Sequence, residues 1–402
     1  MVEVLAQSDA LERTLREVCE QLAPIDKTAC SPGEREAAEW IAARLRTAGV
    51  DQVALEQEPS WGGAPPTLVA LGTLGMAGAA LVLANRRMSG ALLAAASIAG
   101  VLDEAENGPR IVRRALRRRR TTVNVVARLG DPGADRTLVV LSHHDAAQTG
   151  LLYDQTLQRK LHERFPGLLR RVKTQPPQWW IGVAGQLGAL LGAATGRRVA
   201  AATGLALTGL ATCLVIDVMR SPTVPGANDN LSAVGLSVAF AELLRERPIP
   251  GLRVVLLSAG AEETLQDGIR GFVARHRREL DPDRTWMLNF DAIGSPRLIM
   301  LEGEGPFWMR DYTDPSFRDL IARCAVSQGI ALERGYRARA STDSVITSRA
   351  GYPSTCLTSL NEWHGISNYH LMSDTPDNLN YGTIAHATRI AYAVARHLSQ
   401  HG

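Results

Sequence analysis

Seven side chains carry the chemistry that this sequence can offer. His143 and Asp145 close a β-branched run as H-x-D, and Asp229 lies in PGANDNLSAVG. Glu262 and Glu263 end VVLLSAGAEE, Asp291 ends WMLNFD, and His370 lies in NYHLMSDTPDNL. Imidazoles and carboxylates are the groups that bind divalent cations and move protons near neutral pH. These lie at or near the ends of predicted strands, where α/β proteins gather ligands. Singly they say little, because one imidazole can be a satisfied core histidine and one acidic pair a solvated turn. Their joint occurrence in this order carries the weight.

The elements that must position them are legible. Residues 31–49 read as a helix: Ser31 with Glu34 forms a capping box, Pro32 takes the first helical position, and Gly49 ends the run. Apolar, β-branched runs predict strands at 121–129 and 136–145 and in LRVVLLSAG, TWMLNFDAIG, RLIML and PSTCLTSL. Helix-like stretches, LSAVGLSVAFAELLRER and the terminal TIAHATRIAYAVARHLSQ, alternate with them. The alternation predicts an α/β fold, a three-layer sandwich around a mixed, largely parallel sheet.

The chain has 402 residues, 45% hydrophobic and 21% charged, with net charge +3. That balance excludes a disordered or collagenous chain and one embedded throughout in a membrane, and the charge is too mild to argue for nucleic acid. The five cysteines form no C-x-x-C pair and fit a reducing compartment. The N-terminus, MVEVLAQSDALERTLREV, carries acids where a signal peptide needs a basic patch and an apolar run.

Two stretches break the α/β rhythm. Residues 67–102 and 179–219 are each a pair of apolar arms around a double arginine, Arg86-Arg87 and Arg197-Arg198. The arms approach the roughly 20 residues that a bilayer core demands, the one after Arg87 being the shortest. Gly188, Gly192 and Gly196 make consecutive G-x-x-x-G steps, and Trp179 and Trp180 stand at an arm's edge. Without a polar face the arms read as membrane hairpins rather than as buried hairpins of a soluble protein. Arg110, Arg113, Arg114 and Arg117 to Arg120 follow the first hairpin, while Arg159, Lys160, Arg164, Arg170, Arg171 and Lys173 precede the second. This basic side is expected to be cytoplasmic, with the arginine run as a solvated or headgroup-facing surface. The division is then 1–63, 106–177 and 221–402 for the α/β domain, with hairpins at 64–105 and 178–220.

As a set, the motifs HHD, GANDN, EE, NFD and YHLMSDTPDNL resemble the di-zinc aminopeptidases of metallopeptidase family twenty-eight, which include leucyl aminopeptidases and relatives of glutamate carboxypeptidase. The resemblance covers nearly all of the chain except the hairpins. It implies a zinc-exopeptidase fold of the phosphorylase/hydrolase type and an exopeptidase that removes the first residue of a peptide with a free N-terminus, which the hairpins would associate with a membrane. It further implies two zinc ions per chain, cobalt and manganese being the other divalent candidates. By this likeness His143 and Asp291 hold one metal, Glu263 and His370 the other, and Asp229 bridges them. Asp145 orients His143, and Glu262 is the general base. Asp343 stands where family members often have S-D-H, but Ser344 takes the third place here. Tyr369 packs, and Asp374 fixes the loop presenting His370.

Other residues are set aside. His144 points to the opposite face of its strand from His143. Asn230-Leu-Ser232 fits a glycosylation acceptor only by chance, and His386, His397 and His401 have no ligand spacing. A glutaminyl-cyclase-like acyltransferase on the same fold is disfavoured by His143 together with Asp229. A catalytically inactive membrane scaffold should have lost ligands, and a transporter should carry more polar residues in its arms than Asp217. The insertion between Asp145 and Asp229 puts the second hairpin's base beside the site, so the cleft is expected to open near the membrane surface. Lipid bilayer and peptide are thus the expected partners, nucleic acid is not, and the oligomeric state stays open.

Overall fold

The computed structural model describes residues 2–169, 173–174 and 178–400; Arg170 and Arg171 of the basic run lie outside them. Its strands are β1 (Gln52–Ser60), β2 (Arg120–Gly130), β3 (Thr137–His143), β4 (Arg253–Ala259), β5 (Thr285–Phe290), β6 (Arg297–Glu304), β7 (Arg310–Asp311), β8 (Glu333–Ala338) and β9 (Ser354–Leu360). They form one sheet in the order β1-β2-β4-β3-β5-β9-β6-β7, with β8 on β6. β4, β3, β5 and β9 run parallel at the centre, and β1, β2 and β7 pair antiparallel toward the edges. The mixed, largely parallel sheet expected from the sequence is therefore present.

The helices are α1 (Val2–Leu22), α2 (Pro32–Thr47), α3 (Pro65–Leu83), α4 (Arg87–Ala105), α5 (Ile111–Leu116), α6 (Thr156–Arg164), α7 (Pro166–Leu169), α8 (Trp179–Thr195), α9 (Arg198–Arg220), α10 (Ser232–Glu246), α11 (Asp267–His276), α12 (Pro315–Ser327), α13 (Asp343–Arg349) and α14 (Tyr381–Gln400). In β3, Leu138 and Val140 enter the core shared with α1, α2, α10 and α14, while Val139 and Leu141 meet Ile269 and Phe272 of α11 on the other face. Burial on both faces explains why the central strands read as unbroken apolar runs. The Ser31 cap forms, its hydroxyl accepting from the Glu34 amide at 3.1 Å, but the Glu34 side chain turns into the core rather than completing the capping box.

The two apolar hairpins do not stand apart. α3 packs on α4 and α9, and α4 packs on α8, so that α3, α4, α8 and α9 form one four-helix bundle. Small residues allow the approach: a Cβ on Gly188 would lie 3.1 Å from the carbonyl oxygen of Ala200 and from Cα of Gly204. Gly196 is not part of that seam; it caps α8 in the left-handed conformation, at φ +74°. α3, α4 and α9 are long and apolar enough to cross a membrane, with 19, 19 and 23 residues. The shortest arm is α8, with 17 residues, and not the one after Arg87 as expected. Trp180 at its start is exposed and sets its ring edge-on to Phe307, 5.4 Å between centroids.

The arginine run corrects a second expectation. Arg110 and Arg113 are buried, not solvated. Arg113 pairs with Glu104 at 2.5 Å, both side chains fully buried, and donates to the carbonyl of Thr264 at 2.6 Å. Arg110 pairs with Asp267 and donates to the Leu265 carbonyl. Together they bolt the base of the first hairpin to the segment after Glu262 and Glu263. Arg113→Ala leaves Glu104 buried without its partner, and a loss of about 3–5 kcal/mol is expected. Thermal unfolding of the purified protein measures it, and Arg113→Met with Glu104→Leu should recover most of the loss.

Candidate metal centre

All but one of the chemical side chains lie at or beyond a carboxyl-terminal strand end. His143 is the last residue of β3, Asp291 follows β5, Glu262 and Glu263 lie in the turn after β4, and His370 lies in the loop after β9. Asp229 comes from the turn before α10, where the Asp229–Asn230 peptide is cis. His143 Nε2 lies 3.2 Å from Asp229 Oδ1 and 4.0 Å from Asp291 Oδ1. His370 Nε2 lies 3.2 Å from Asp229 Oδ2 and 3.3 Å from Glu263 Oε1. His143, Asp229 and Asp291 thus make one triad and Asp229, Glu263 and His370 a second, with the ligand atoms within each inside 4.8 Å of one another. The sequence expectation named these five residues, and the fold brings all of them together.

Two observations test the fit of divalent cations. His370 Nε2 and Glu263 Oε1 are buried with no hydrogen-bond partner and lie 3.3 Å apart, placed so that one cation could meet both. The set of two imidazoles and three carboxylates suits zinc, and a carboxylate reaching both triads offsets the repulsion between two close cations.

The electrostatics agree. Burial works against a charged His143 ring, but bonds to Asp145 and Asp229 and the charges of Glu262 and Asp291 hold its pKa well above the ordinary imidazole value. His370 is held up in the same way, chiefly by Glu263 and Asp229. Glu262 and Asp291 are pushed well up, by burial first and then by neighbouring carboxylates. Asp229 alone among these acids is lowered, because the two imidazoles outweigh its burial. A field that raises imidazoles and carboxylates together is one that favours added positive charge.

The supporting groups hold backbone as much as ligands. Asp145 Oδ1 and Oδ2 accept from the amides of Glu262 and Glu263, both at 3.0 Å, and Oδ1 lies 3.6 Å from His143 Nδ1. One carboxylate therefore aligns both the strand-end imidazole and the E-E turn. Asp374 accepts from the amides of Asn228 at 2.7 Å and Asp229 at 3.2 Å. It thus fixes the bridging turn, a more direct hold than the expected one on the His370 loop. Tyr369 packs as expected, its ring stacked on His370 at 3.9 Å. Gln266 Nε2 donates to Glu262 Oε1 at 2.7 Å. Asp343 is buried with neither oxygen partnered, and burial pushes its pKa up to about 7. His144 stays outside both triads: it bonds Ser258 at 3.0 Å, and burial lowers it to about 4.

Sequence reasoning missed several contributors. Glu34 Oε1 accepts from the Ala261 amide at 2.9 Å and the Thr122 hydroxyl at 2.7 Å, directly beneath the E-E turn. Tyr153 sets its ring against His370, centroids 4.4 Å apart. Buried Lys27 donates to the Pro225 carbonyl in the segment leading to Asp229. Only Glu34 left a sequence signal, and its helical position offered a simpler use for it.

Two cavities meet at Glu262 and Glu263. One of about 510 Å³ reaches Asp229 and Asp291 and is walled by Ile299, Leu301, Tyr336 and Leu360. The other, about 360 Å³, touches His370 and runs between the helices of the bundle.

Residues 216–395 match the sequence signature of peptidase family M28. No curated protein matches the chain. Among solved structures, the crystal structure of LapB from Legionella pneumophila is similar, with 13% identity and a TM-score of 0.55 over 99% of this chain and 75% of that one. A leucine aminopeptidase precursor from Bacteroides thetaiotaomicron matches at 11% identity and a TM-score of 0.55, over 96% of each chain. A glutaminyl cyclase of the same organism, bound to N-acetylhistamine, matches at 11% and 0.56, over 96% of this chain and 97% of that one. At these identities the likeness is one of fold.

Burial raises the pKa of Glu34 from its ordinary 4.5 to about 8, with Asp145 adding to the rise. Across that window the folded form holds a proton that the unfolded form has released, so stability falls as pH rises, by up to about 1.4 kcal/mol per pH unit. Glu34→Gln, which keeps the acceptor, is expected to flatten the pH dependence of the unfolding midpoint in this range. Residues 216–395 thus carry the sequence signature of peptidase family M28, within a chain whose fold resembles those of solved aminopeptidases and glutaminyl cyclases.

Proposed function

We propose that the chain is a membrane-associated, metal-dependent aminopeptidase that hydrolyses the N-terminal peptide bond. The observation that carries this reading is the pair of triads sharing Asp229. His143 and Asp291 would hold one zinc ion, Glu263 and His370 the other. Cations held there would polarise the scissile carbonyl and lower the pKa of the attacking water.

The remaining steps belong to the chain. Glu262 takes the water's proton onto its carboxylate and returns it to the leaving amine. Its Oε1 is held by Gln266, and its backbone amide is held by Asp145. Its raised pKa suits a group that must keep a proton between the two transfers. Asp145 and Asp374 are positioning residues that keep the E-E turn and the bridging turn in register.

Residues 64–105 and 178–220 serve as the membrane inserts of this peptidase, and residues 1–63, 106–177 and 221–402 form its catalytic domain on the cytoplasmic side. Three apolar helices support this, together with the excess of basic residues at the bundle's base over its tips. The glutaminyl cyclases among the similar folds favour a second reading, an acyltransferase using the Asp229, Glu263 and His370 triad alone. The completeness of the His143 triad weighs against it.

Glu262→Gln is expected to keep both bound metals and to lower kcat about 10²–10⁴-fold on leucinamide. Elemental analysis and turnover of the purified protein measure the two effects. His370→Ala should remove one equivalent of metal and Asp229→Ala both. A single equivalent in the unaltered protein, with cyclisation of N-terminal glutamine, selects the acyltransferase. Reporters fused after Arg86 and Arg197 should signal from the side of the membrane opposite to a C-terminal fusion; signals from one side remove the spanning topology.

A further inference from the structure

The cavity beside His370 is not an ordinary surface cleft. From Glu262, Glu263 and His370 it continues between α3, α8 and α9, past Val218 and Val215, and reaches Gly72, Gln186 and Thr208 inside the bundle. The stretch of α9 from Thr208 to Val218 rises about 15 Å, the length of four or five extended residues. Its volume of about 360 Å³ lies in the range of ligand sites.

We infer that this cavity is a binding channel for an apolar peptide segment that leads directly into the reacting amide. The inference rests on the aminopeptidase reading: such an enzyme leaves one residue on the amino side of the broken bond, so a channel several residues long receives the carboxyl side. Leu68, Leu214, Val215 and Val218 offer apolar walls, and the floor is polar. Gln186 is 1% exposed, and its Oε1 has no hydrogen-bond partner, while its Nε2 donates to Ser97 at 3.2 Å. Thr208 and Thr212 donate to backbone carbonyls of their own helix, at 2.9 and 2.7 Å, and keep oxygen lone pairs free. An amide oxygen buried among apolar helices without a donor is costly. A peptide supplies N–H groups to such acceptors, whereas an acyl chain supplies none. The occupant is therefore an extended peptide with apolar side chains, drawn from the bilayer or from solution.

The test uses the full chain in phosphatidylcholine nanodiscs with zinc. The probe is a leucine–alanine decapeptide with a free N-terminus and a C-terminal dansyl group, and its polar counterpart is built of serine and glutamine. The apolar peptide should bind at least tenfold more tightly than the polar one. Val215→Trp should weaken it at least tenfold, and Leu210→Trp, on the exposed face of the same helix, should not. Equal affinity for the two peptides, or an unchanged Kd in Val215→Trp, overturns the channel. A photoreactive leucine in the peptide gives a readout free of variants: adducts within residues 208–218 support the channel, and adducts only elsewhere overturn it. Displacement of the probe by oleate but not by unlabelled peptide replaces the peptide with an acyl chain. Failure of the unaltered protein to cleave leucinamide would remove the enzymatic reading and leave the binding result standing.

Discussion

The structure turns on one electrostatic constraint: acidic side chains are driven together in a buried place with few cationic side chains to meet them. Asp229, Glu262, Glu263, Asp291 and Asp343 crowd one end of the sheet, and burial raises all of them except Asp229. Among the described residues, the side-chain partners of these acids are two imidazoles and one glutamine amide. Holding like charges this close requires a rigid frame, which the parallel strands supply by delivering several side chains to one edge with little freedom of their own. The residues around the site act on backbone for the same reason. Asp145 and Glu34 accept from amides of the turn that carries Glu262 and Glu263, and Asp374 from those of the Asp229 turn, so both turns are held by groups other than the acids they present.

How far this was legible follows from how local each signal is. The central strands and the seven chemical residues were readable because a parallel sheet buried on both faces writes unbroken apolar runs that stop where the ligands begin. β1 and β8 were not, since QVALEQEPS and ERGYRA are charged edge strands without that signature. Glu34 satisfied a helix-capping pattern and is used elsewhere, because the contact that claims it is with Ala261, far away in sequence. Arg110 and Arg113 sit in a run that is largely exposed, and nothing in their immediate neighbours marks the two that turn inward.

The apolar hairpins show the same limit at a larger scale. Each is visible by composition, but their pairing into one bundle is a property of two distant segments meeting. The small residues at the seam were visible; which of them were seam and which were cap was not, as Gly188 and Gly196 demonstrate. Once paired, the four helices form a wall of the site rather than a tether beside it.

The buried arginines then impose an order on assembly. Arg113 reaches from the end of the first hairpin to the carbonyl of Thr264, and Arg110 to Asp267, across 151 and 157 residues of sequence. The turn that bears Glu262 and Glu263 is made late by the ribosome and is anchored to a segment made early. A chain whose first hairpin has not docked lacks two of the contacts that hold that turn, and keeps those from Asp145 and Glu34. The first hairpin is thus part of the frame that holds the two glutamates, and loosening it loosens them.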